Sequence, residues 1–162
     1  MIVVSNTSPL TNLAAIGRLD LLKDIFNELR NAEAVWEELN AGGRAWPGSK
    51  EVAGADWIER HPVQNQGLVT ALQLDLDKGE AESIALAVEL NADLILLDET
   101  EGRRVAGRFN LKPLGVIGIL LQANINGHID DIRSTPDALR QQAGFYISAS
   151  LFQTVLEKAD KK

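Results

Sequence analysis

Acidic side chains near the ends of predicted strands and helices are the residues of this chain that could do chemistry. The candidates are Glu37, Glu38, Glu80, Glu82, Asp98, Glu99 and Glu101. The chain has no cysteine, which excludes a thiolate metal site. Carboxylate oxygens suit Mg²⁺ or Mn²⁺ rather than zinc. Such a site requires carboxylates from separate elements to meet at one point, so the elements that position them come next.

Two short apolar runs have the length and residue types of buried strands. Residues 2–5 run directly into Asn6, and residues 93–97 run directly into Asp98. In an open α/β sheet, ligands bind in the crevice beyond the carboxyl ends of the strands. We therefore expect Asn6 and Asp98 to lie at that crevice.

Helical patterns between these strands place two further acids. Apolar spacing predicts helices at 19–29, 32–39 and 77–90, among others. Glu38 lies near the end of the second of these helices. Glu80 lies in the first turn of the third, which leads directly into the second strand. Both acids are therefore candidates to reach the same edge of the sheet.

Strands that alternate with helical patterns predict a mostly parallel sheet. Weaker strands are predicted at 57–63, where Pro62 favours an edge position, and at 112–114. We expect one domain over 1–162, a three-layer α/β/α fold with a central parallel sheet of four or five strands. Residues 41–55 are predicted to form a surface loop within it. One further helix is predicted to start at Ser8, which is the N-cap before Pro9, and another to start at Ser148. Four more are predicted at 68–76, 99–109, 115–125 and 135–142.

Each candidate residue also has a purely structural explanation. Glu80 completes a capping box at the start of its helix, and Asp98 caps the helix after it with Glu101 as box partner. Glu38 occupies a solvated helix surface. Asn6 is a turn residue that bonds to its own backbone. Residue types and spacing alone leave these alternatives open.

The formal net charge is −7, which argues against tight non-specific binding to nucleic acid. It does not exclude binding, because a cation held among carboxylates changes the local field. A basic cluster follows Asp98, and either a solvated helix face or a phosphate contact explains it. The cluster comprises Arg103, Arg104, Arg108 and Lys112. No signal peptide or membrane span is recognisable, so we expect a cytoplasmic protein with no membrane partner.

Several short motifs, taken in this order and at these spacings, resemble the PIN-domain family. They are VVSNTSPL at 3–10, VWEEL at 35–39, GEAESIALA at 79–87, ADLILLD at 92–98 and GVIGILL at 115–121. The start of the chain is similar to a VapC-like toxin branch that begins with the same Asn-Thr-Ser-Pro-Leu, in place of the usual Asp-Thr/Ser. The similarity spans nearly the whole chain.

The resemblance implies a metal-dependent ribonuclease fold with three or four acids at the carboxyl edge of its sheet. It implies Mg²⁺ or Mn²⁺ as the cofactor. Carried over by position, the site residues are Asn6, Glu38, Glu80 and Asp98, the last three as metal ligands. Glu37 and Glu82 are alternatives for the second and third acids, with Thr7, Arg103 and Arg104 in support.

One position departs from the family pattern. Where the family has an aspartate after the first strand, this chain has Asn6, whose carbonyl oxygen can ligate a metal but brings no charge. The resemblance implies a metal-dependent endoribonuclease that acts as the toxin of a toxin–antitoxin pair. Its partners would be RNA, a small antitoxin protein and a second copy of the chain. The departure implies lower activity, a single metal ion, or a catalytically impaired PIN-like protein that binds RNA or an antitoxin. A metal-dependent phosphatase or DNA nuclease is a further alternative.

Overall fold

A sheet of five parallel strands organises the computed structural model, which describes residues 1–40 and 48–129. The strands are β1 (Val3–Ser5), β2 (Leu29–Ala32), β3 (Ile58–His61), β4 (Leu94–Leu96) and β5 (Pro113–Leu114). The helices of the described residues are α1 (Thr7–Ala15), α2 (Asp20–Phe26), α3 (Glu33–Leu39), α4 (Ser49–Ala53), α5 (Gln66–Leu72), α6 (Lys78–Glu89), α7 (Thr100–Arg108) and α8 (Val116–Ile125). Helices cover both faces, so the predicted three-layer α/β/α fold is confirmed.

Strand β1 lies at the centre of the sheet, whose order is β3-β2-β1-β4-β5. Val4 pairs with Arg30 of β2 on one side and with Ile95 of β4 on the other. Strands β2 and β3 follow β1 toward one edge of the sheet. The chain then crosses back, and β4 and β5 extend the sheet from β1 toward the other edge. This reversal is a topological switch point, where open α/β sheets bind their ligands.

Alternating side chains of the strands enter two separate hydrophobic cores. Val3 packs into the core under α1, α2 and α8, whereas Val4 packs into the core under α5, α6 and α7. The helix after β1 therefore covers one face, and the helix after β4 covers the opposite face. The two chain segments therefore separate at the carboxyl ends of β1 and β4, which is where an open α/β sheet has its ligand-binding crevice.

One strand, β2, is missing from the sequence prediction. The helix predicted at 19–29 ends at Phe26, because Asn27 adopts a positive φ of 66°. Leu29 then enters β2 with its side chain fully buried. Its spacing from the preceding apolar residues fits a helix equally well, so periodicity could not locate the boundary.

Three other boundaries differ from the prediction. The helix predicted at 68–76 is α5, at Gln66–Leu72. Helix α1 begins at Thr7 with Asn6 as its N-cap, slightly earlier in the chain than the predicted cap at Ser8. The second half of the predicted surface loop at 41–55 contains the short helix α4, with Val52 in the hydrophobic core.

The predicted helices at 135–142 and from Ser148 lie outside the described residues. Within the described residues, no helix combines the length and apolar character that a membrane crossing requires.

Candidate functional site

The crevice at the switch point is bridged by Asn6 and Glu99. These residues are the N-caps of α1 and α7, which leave the sheet toward opposite faces. Asn6 Nδ2 donates to Glu99 Oε2 at 3.3 Å, and the Ser8 hydroxyl donates to Glu99 Oε1. Asn6 Oδ1 lies 3.4 Å from Ser83 Oγ of α6, which donates chiefly to the Gly79 carbonyl at 2.7 Å. Side chains from three helices thus meet at the carboxyl end of β1.

The Glu38 carboxylate lies beside this bridge, against the start of α6. Thr7 Oγ1 donates to Glu38 Oε2 at 2.6 Å. A Cβ atom at Gly79 would lie 2.0 Å from Glu38 Oε1, so only glycine leaves room for the carboxylate there. Burial raises the Glu38 pKa, and the negative charges of Asp77 and Glu99 raise it further, against the hydrogen bonds from Thr7 and the Gly79 N–H.

The Glu80 carboxyl is buried in the first turn of α6. Asp77 caps this helix by accepting from the Glu80 N–H at 2.8 Å, and the Glu80 carboxyl accepts from the Asp77 N–H in return. A Cβ atom at Gly102 of α7 would lie 2.8 Å from Glu80 Oε2. Burial, followed by the interaction with Asp77 and the charge of Glu99, raises the Glu80 pKa to about 8. The capping box predicted as a structural alternative therefore forms, and the same carboxyl also reaches α7.

Asp98 follows β4, and its side chain bonds to the first turn of α8, whose N-cap is Gly115. Its Oδ1 accepts from the Val116 N–H at 2.7 Å, whereas its Oδ2 is buried without a hydrogen-bond partner. A Cβ atom at Gly115 would lie 2.8 Å from Asp98 Oδ1 and 3.3 Å from Arg103 Nη1, so both side chains pack over this glycine. Burial raises the Asp98 pKa to about 6, and the charge of Glu99 adds to the rise. The Val116 N–H, the charge of Arg103 and a hydrogen bond with the Asn12 side chain oppose it.

Glu99 is the residue that connects these three acids electrostatically. Its negative charge contributes to the raised pKa of Glu38, of Glu80 and of Asp98. Carboxyls from α3, α6 and the segment after β4 therefore gather at one end of the sheet. Glu99, whose charge acts on all three, is therefore a further candidate acid. The family resemblance did not select it as a site residue.

Comparison with known protein families identifies the fold. A family model described as a PIN domain, DUF3368, matches residues 2–161. The chain belongs to the PIN-domain family. A search of curated proteins found no match to this PIN domain. Family membership indicates nuclease chemistry, and such chemistry generally depends on a divalent metal.

The alternatives to the predicted acids lie elsewhere around this PIN-domain crevice. Glu37 is exposed and its carboxylate lies 3.8 Å from Lys78 Nζ. Glu82 Oε1 accepts from the buried Ala34 N–H at 3.0 Å and so stabilises the first turn of α3. Arg104 pairs with Glu101 on the exposed side of α7. Glu101 therefore does not serve as a box partner for Asp98, whose cap is on α8.

The donor set of the crevice fits a hard divalent cation. Its groups are carboxylate and amide oxygens, which Mg²⁺ and Mn²⁺ prefer, and Asp98 Oδ2 is a buried oxygen without a partner. Within residues 1–40 and 48–129, no three acidic or imidazole side chains already have the spacing of a metal site. The carboxylates are instead held by hydrogen bonds from Thr7, Asp77 and Val116. A cation would have to draw flexible glutamate side chains out of these contacts.

Proposed function

We propose that this PIN domain hydrolyses RNA phosphodiesters with the help of Mg²⁺ or Mn²⁺, as the toxin of a toxin–antitoxin pair. We assign it to the VapC-like branch because residues 6–10 are similar to the start of those toxins. The single observation that supports the proposal is that the charge of Glu99, at the carboxyl end of the sheet, helps to raise the pKa values of Glu38, Glu80 and Asp98. Three separate elements contribute one carboxyl each to a crevice that this topology reserves for ligands.

The crevice residues would have different roles in such a reaction. A bound divalent cation supplies an activated water and neutralises charge on the phosphodiester. Glu38, Glu80 and Asp98 would hold that cation through carboxylate oxygens. The hydrogen bond from Thr7 limits where the Glu38 carboxylate can turn.

Arg103 is the basic side chain best placed to bind the substrate phosphate. It packs over Gly115 beside Asp98, at the edge of the acidic cluster. Guanidinium groups bind phosphate oxygens through paired, charge-assisted hydrogen bonds. Arg104 is occupied by Glu101, so we assign it a supporting role in the positive field of α7.

A second candidate function is binding of RNA or an antitoxin without cleavage. The observation that favours it is the amide of Asn6, which contributes no charge where the family has an aspartate. The absence of a formed metal site among the described residues is compatible with the same alternative. For the toxin function we further propose that the protein acts in the cytoplasm. We propose that it binds a small antitoxin protein and forms a homodimer.

An RNA cleavage assay separates the two functions. We expect the purified protein to cleave RNA only when Mn²⁺ or Mg²⁺ is added, and to stop when the ion is chelated. Single-stranded DNA of the same sequence, assayed in parallel, tests for a DNA nuclease. RNA binding that persists in chelator, without cleavage at any metal concentration, would support the binding protein and contradict the nuclease.

Substitution of Gly79 by alanine tests whether the position of Glu38 matters. The added Cβ would overlap Glu38 Oε1, so the flexible carboxylate must leave the start of α6. Alanine also favours a helix over glycine by about 1 kcal/mol, so the melting temperature should stay level or rise. We expect RNA cleavage to fall by about tenfold, in the range typical of disturbed metal-site geometry.

The matched control is Gly107→Ala. Gly107 lies in α7, and a Cβ atom there would meet nothing within 4 Å. This variant should gain the same helix stabilisation and keep full cleavage. Equal cleavage by Gly79→Ala and Gly107→Ala would remove Glu38 from the site.

A further inference from the structure

The Glu99 side chain bonds to α1 rather than to its own helix, α7. It occupies the N-cap position of α7, yet its side chain makes no capping hydrogen bond to that helix. Its two oxygens instead accept from Asn6 and Ser8, at the start of α1 on the other side of the crevice. A residue that served only to stabilise α7 would bond to the free N–H groups of α7. The observed contacts therefore call for a different role.

The contacts of Glu99 form part of a chain of hydrogen bonds across the crevice. Asn6 Nδ2 donates to Glu99 Oε2, and Asn6 Oδ1 faces Ser83 Oγ, whose single proton is directed chiefly to the Gly79 carbonyl at 2.7 Å. The Asn6 amide thus turns its donor toward the carboxylate. An aspartate at position 6 has no such donor and would place a second negative charge within hydrogen-bond distance of Glu99.

We propose that Glu99 supplies the carboxylate that Asn6 lacks, and that Asn6 is a positioning residue that holds Glu99 over the cation site. The number of carboxylates around the crevice is then the same as with an aspartate after β1. The proposal rests on the metal-dependent function proposed above and deepens it by naming a fourth acid. It also explains why an amide at position 6 is compatible with a working site.

Exchange of the two side chains tests this assignment. Four proteins are compared: the wild type, Glu99→Gln, Asn6→Asp, and the double variant Asn6→Asp/Glu99→Gln. The double variant restores one carboxylate and one amide to the same pair in swapped positions. The readout is Mn²⁺ affinity by calorimetric titration, together with the melting temperature of each metal-free protein.

We expect Glu99→Gln to weaken Mn²⁺ binding by about tenfold or more, the scale of losses around metal sites. Asn6→Asp should lower the melting temperature of the metal-free protein, since like charges then face each other. The double variant should recover most of the lost affinity and most of the lost melting temperature. Glu101→Gln, whose carboxylate pairs with Arg104 on the exposed side of α7, should bind Mn²⁺ as the wild type does.

The outcomes separate this proposal from the proposed function. Wild-type Mn²⁺ binding that Glu99→Gln leaves unchanged would overturn the role of Glu99 and leave the metal-dependent nuclease standing. A loss in Glu99→Gln that the double variant does not recover would show that Glu99 does not supply the carboxylate that Asn6 lacks. No Mn²⁺ binding by the wild type at millimolar concentration would overturn both proposals.

Discussion

Asp98→Asn is expected to reduce metal-dependent RNA cleavage by about a hundredfold, without any loss of fold stability. The substitution removes the charge of a carboxylate whose Oδ2 is buried without a partner. It keeps an oxygen that can accept from the Val116 N–H, so the start of α8 stays capped. Cleavage rate and melting temperature, measured on the same preparation, check the prediction.

The stability of this variant should stay level or rise at neutral pH. Burial raises the Asp98 pKa to about 6, which means that the folded protein holds the charged form at a cost. Raising a pKa by one unit corresponds to about 1.4 kcal/mol, so removing the charge should favour the fold by about 1–3 kcal/mol at pH 7.5. The amide N–H groups that replace Oδ2 are buried without an acceptor, at a cost of about 1–3 kcal/mol, which offsets this gain. Activity should then fall while stability does not, which loss of a purely structural helix cap would not produce.

Asp93→Asn is the matched control for this prediction. Asp93 precedes β4 at the opposite end of the strand, where its Oδ2 accepts from the Ile2 N–H at 2.7 Å. The same chemical change there should leave cleavage intact. If Asp98→Asn cleaves RNA as fast as Asp93→Asn, Asp98 is a cap of α8 and nothing more.

The sequence places Asn6 and Asp98 correctly because parallel strands share a direction. Both residues follow short apolar runs, and the carboxyl ends of β1 and β4 must lie at one edge once the strands pair. Glu80 is placed by similar logic, because a helix that leads into β4 has to begin at that same edge. These inferences need only chain direction and local pattern, which the sequence contains.

The role of Glu99 depends on information that the sequence pattern does not contain. Its side chain is directed by the packing of α1 and α7 on opposite faces, which brings Ser8 within reach of its carboxylate. As the residue after Asp98 it could equally cap α7 or face solvent. The acidic pair at 98 and 99, at the end of a buried strand, was the available signal.

The sequence did not predict strand β2 for a related reason. Leu29 continues the apolar spacing of α2, and only the positive φ of Asn27 separates the helix from the strand. An asparagine followed by an acidic residue is a weak stop signal on its own. Pairing with β1 and β3, which requires long-range contacts, decides that Leu29–Ala32 is extended.

Metal affinity should increase steeply with pH between 6 and 8. Without metal, the Glu80 pKa is raised to about 8 and the Asp98 pKa to about 6, so at pH 6 Glu80 is protonated and Asp98 is half protonated. A carboxyl must lose its proton to bind a cation, so Mn²⁺ binding releases protons in this range. Affinity should rise by up to about tenfold per pH unit for each proton released. Calorimetric titrations in two buffers of different ionisation enthalpy give both the affinity and the proton count.

The stability of the metal-free protein should fall over the pH range in which metal affinity rises. The pKa of Glu80 is higher in the folded state than its usual value of 4.5. Its contribution to stability is therefore complete below pH 4.5 and is lost as the pH rises toward 8. Glu80→Gln removes this dependence, so its advantage in unfolding free energy over the wild type should grow from pH 5 to pH 8. Solvent at the mouth of the crevice screens the charges, and we expect about 1–2 kcal/mol at pH 8.

Glu82→Gln distinguishes the crevice from the rest of α6. Glu82 lies two residues beyond Glu80 on the same helix, but its carboxylate accepts from the Ala34 N–H of α3. The glutamine oxygen can accept the same hydrogen bond, so Mn²⁺ affinity and its pH dependence should match the wild type. Glu80→Gln should flatten the rise in affinity between pH 7 and 8 and reduce the number of protons released. If affinity is already flat across this range in the wild type, the carboxyls with raised pKa are not the metal ligands, and the site must use other groups.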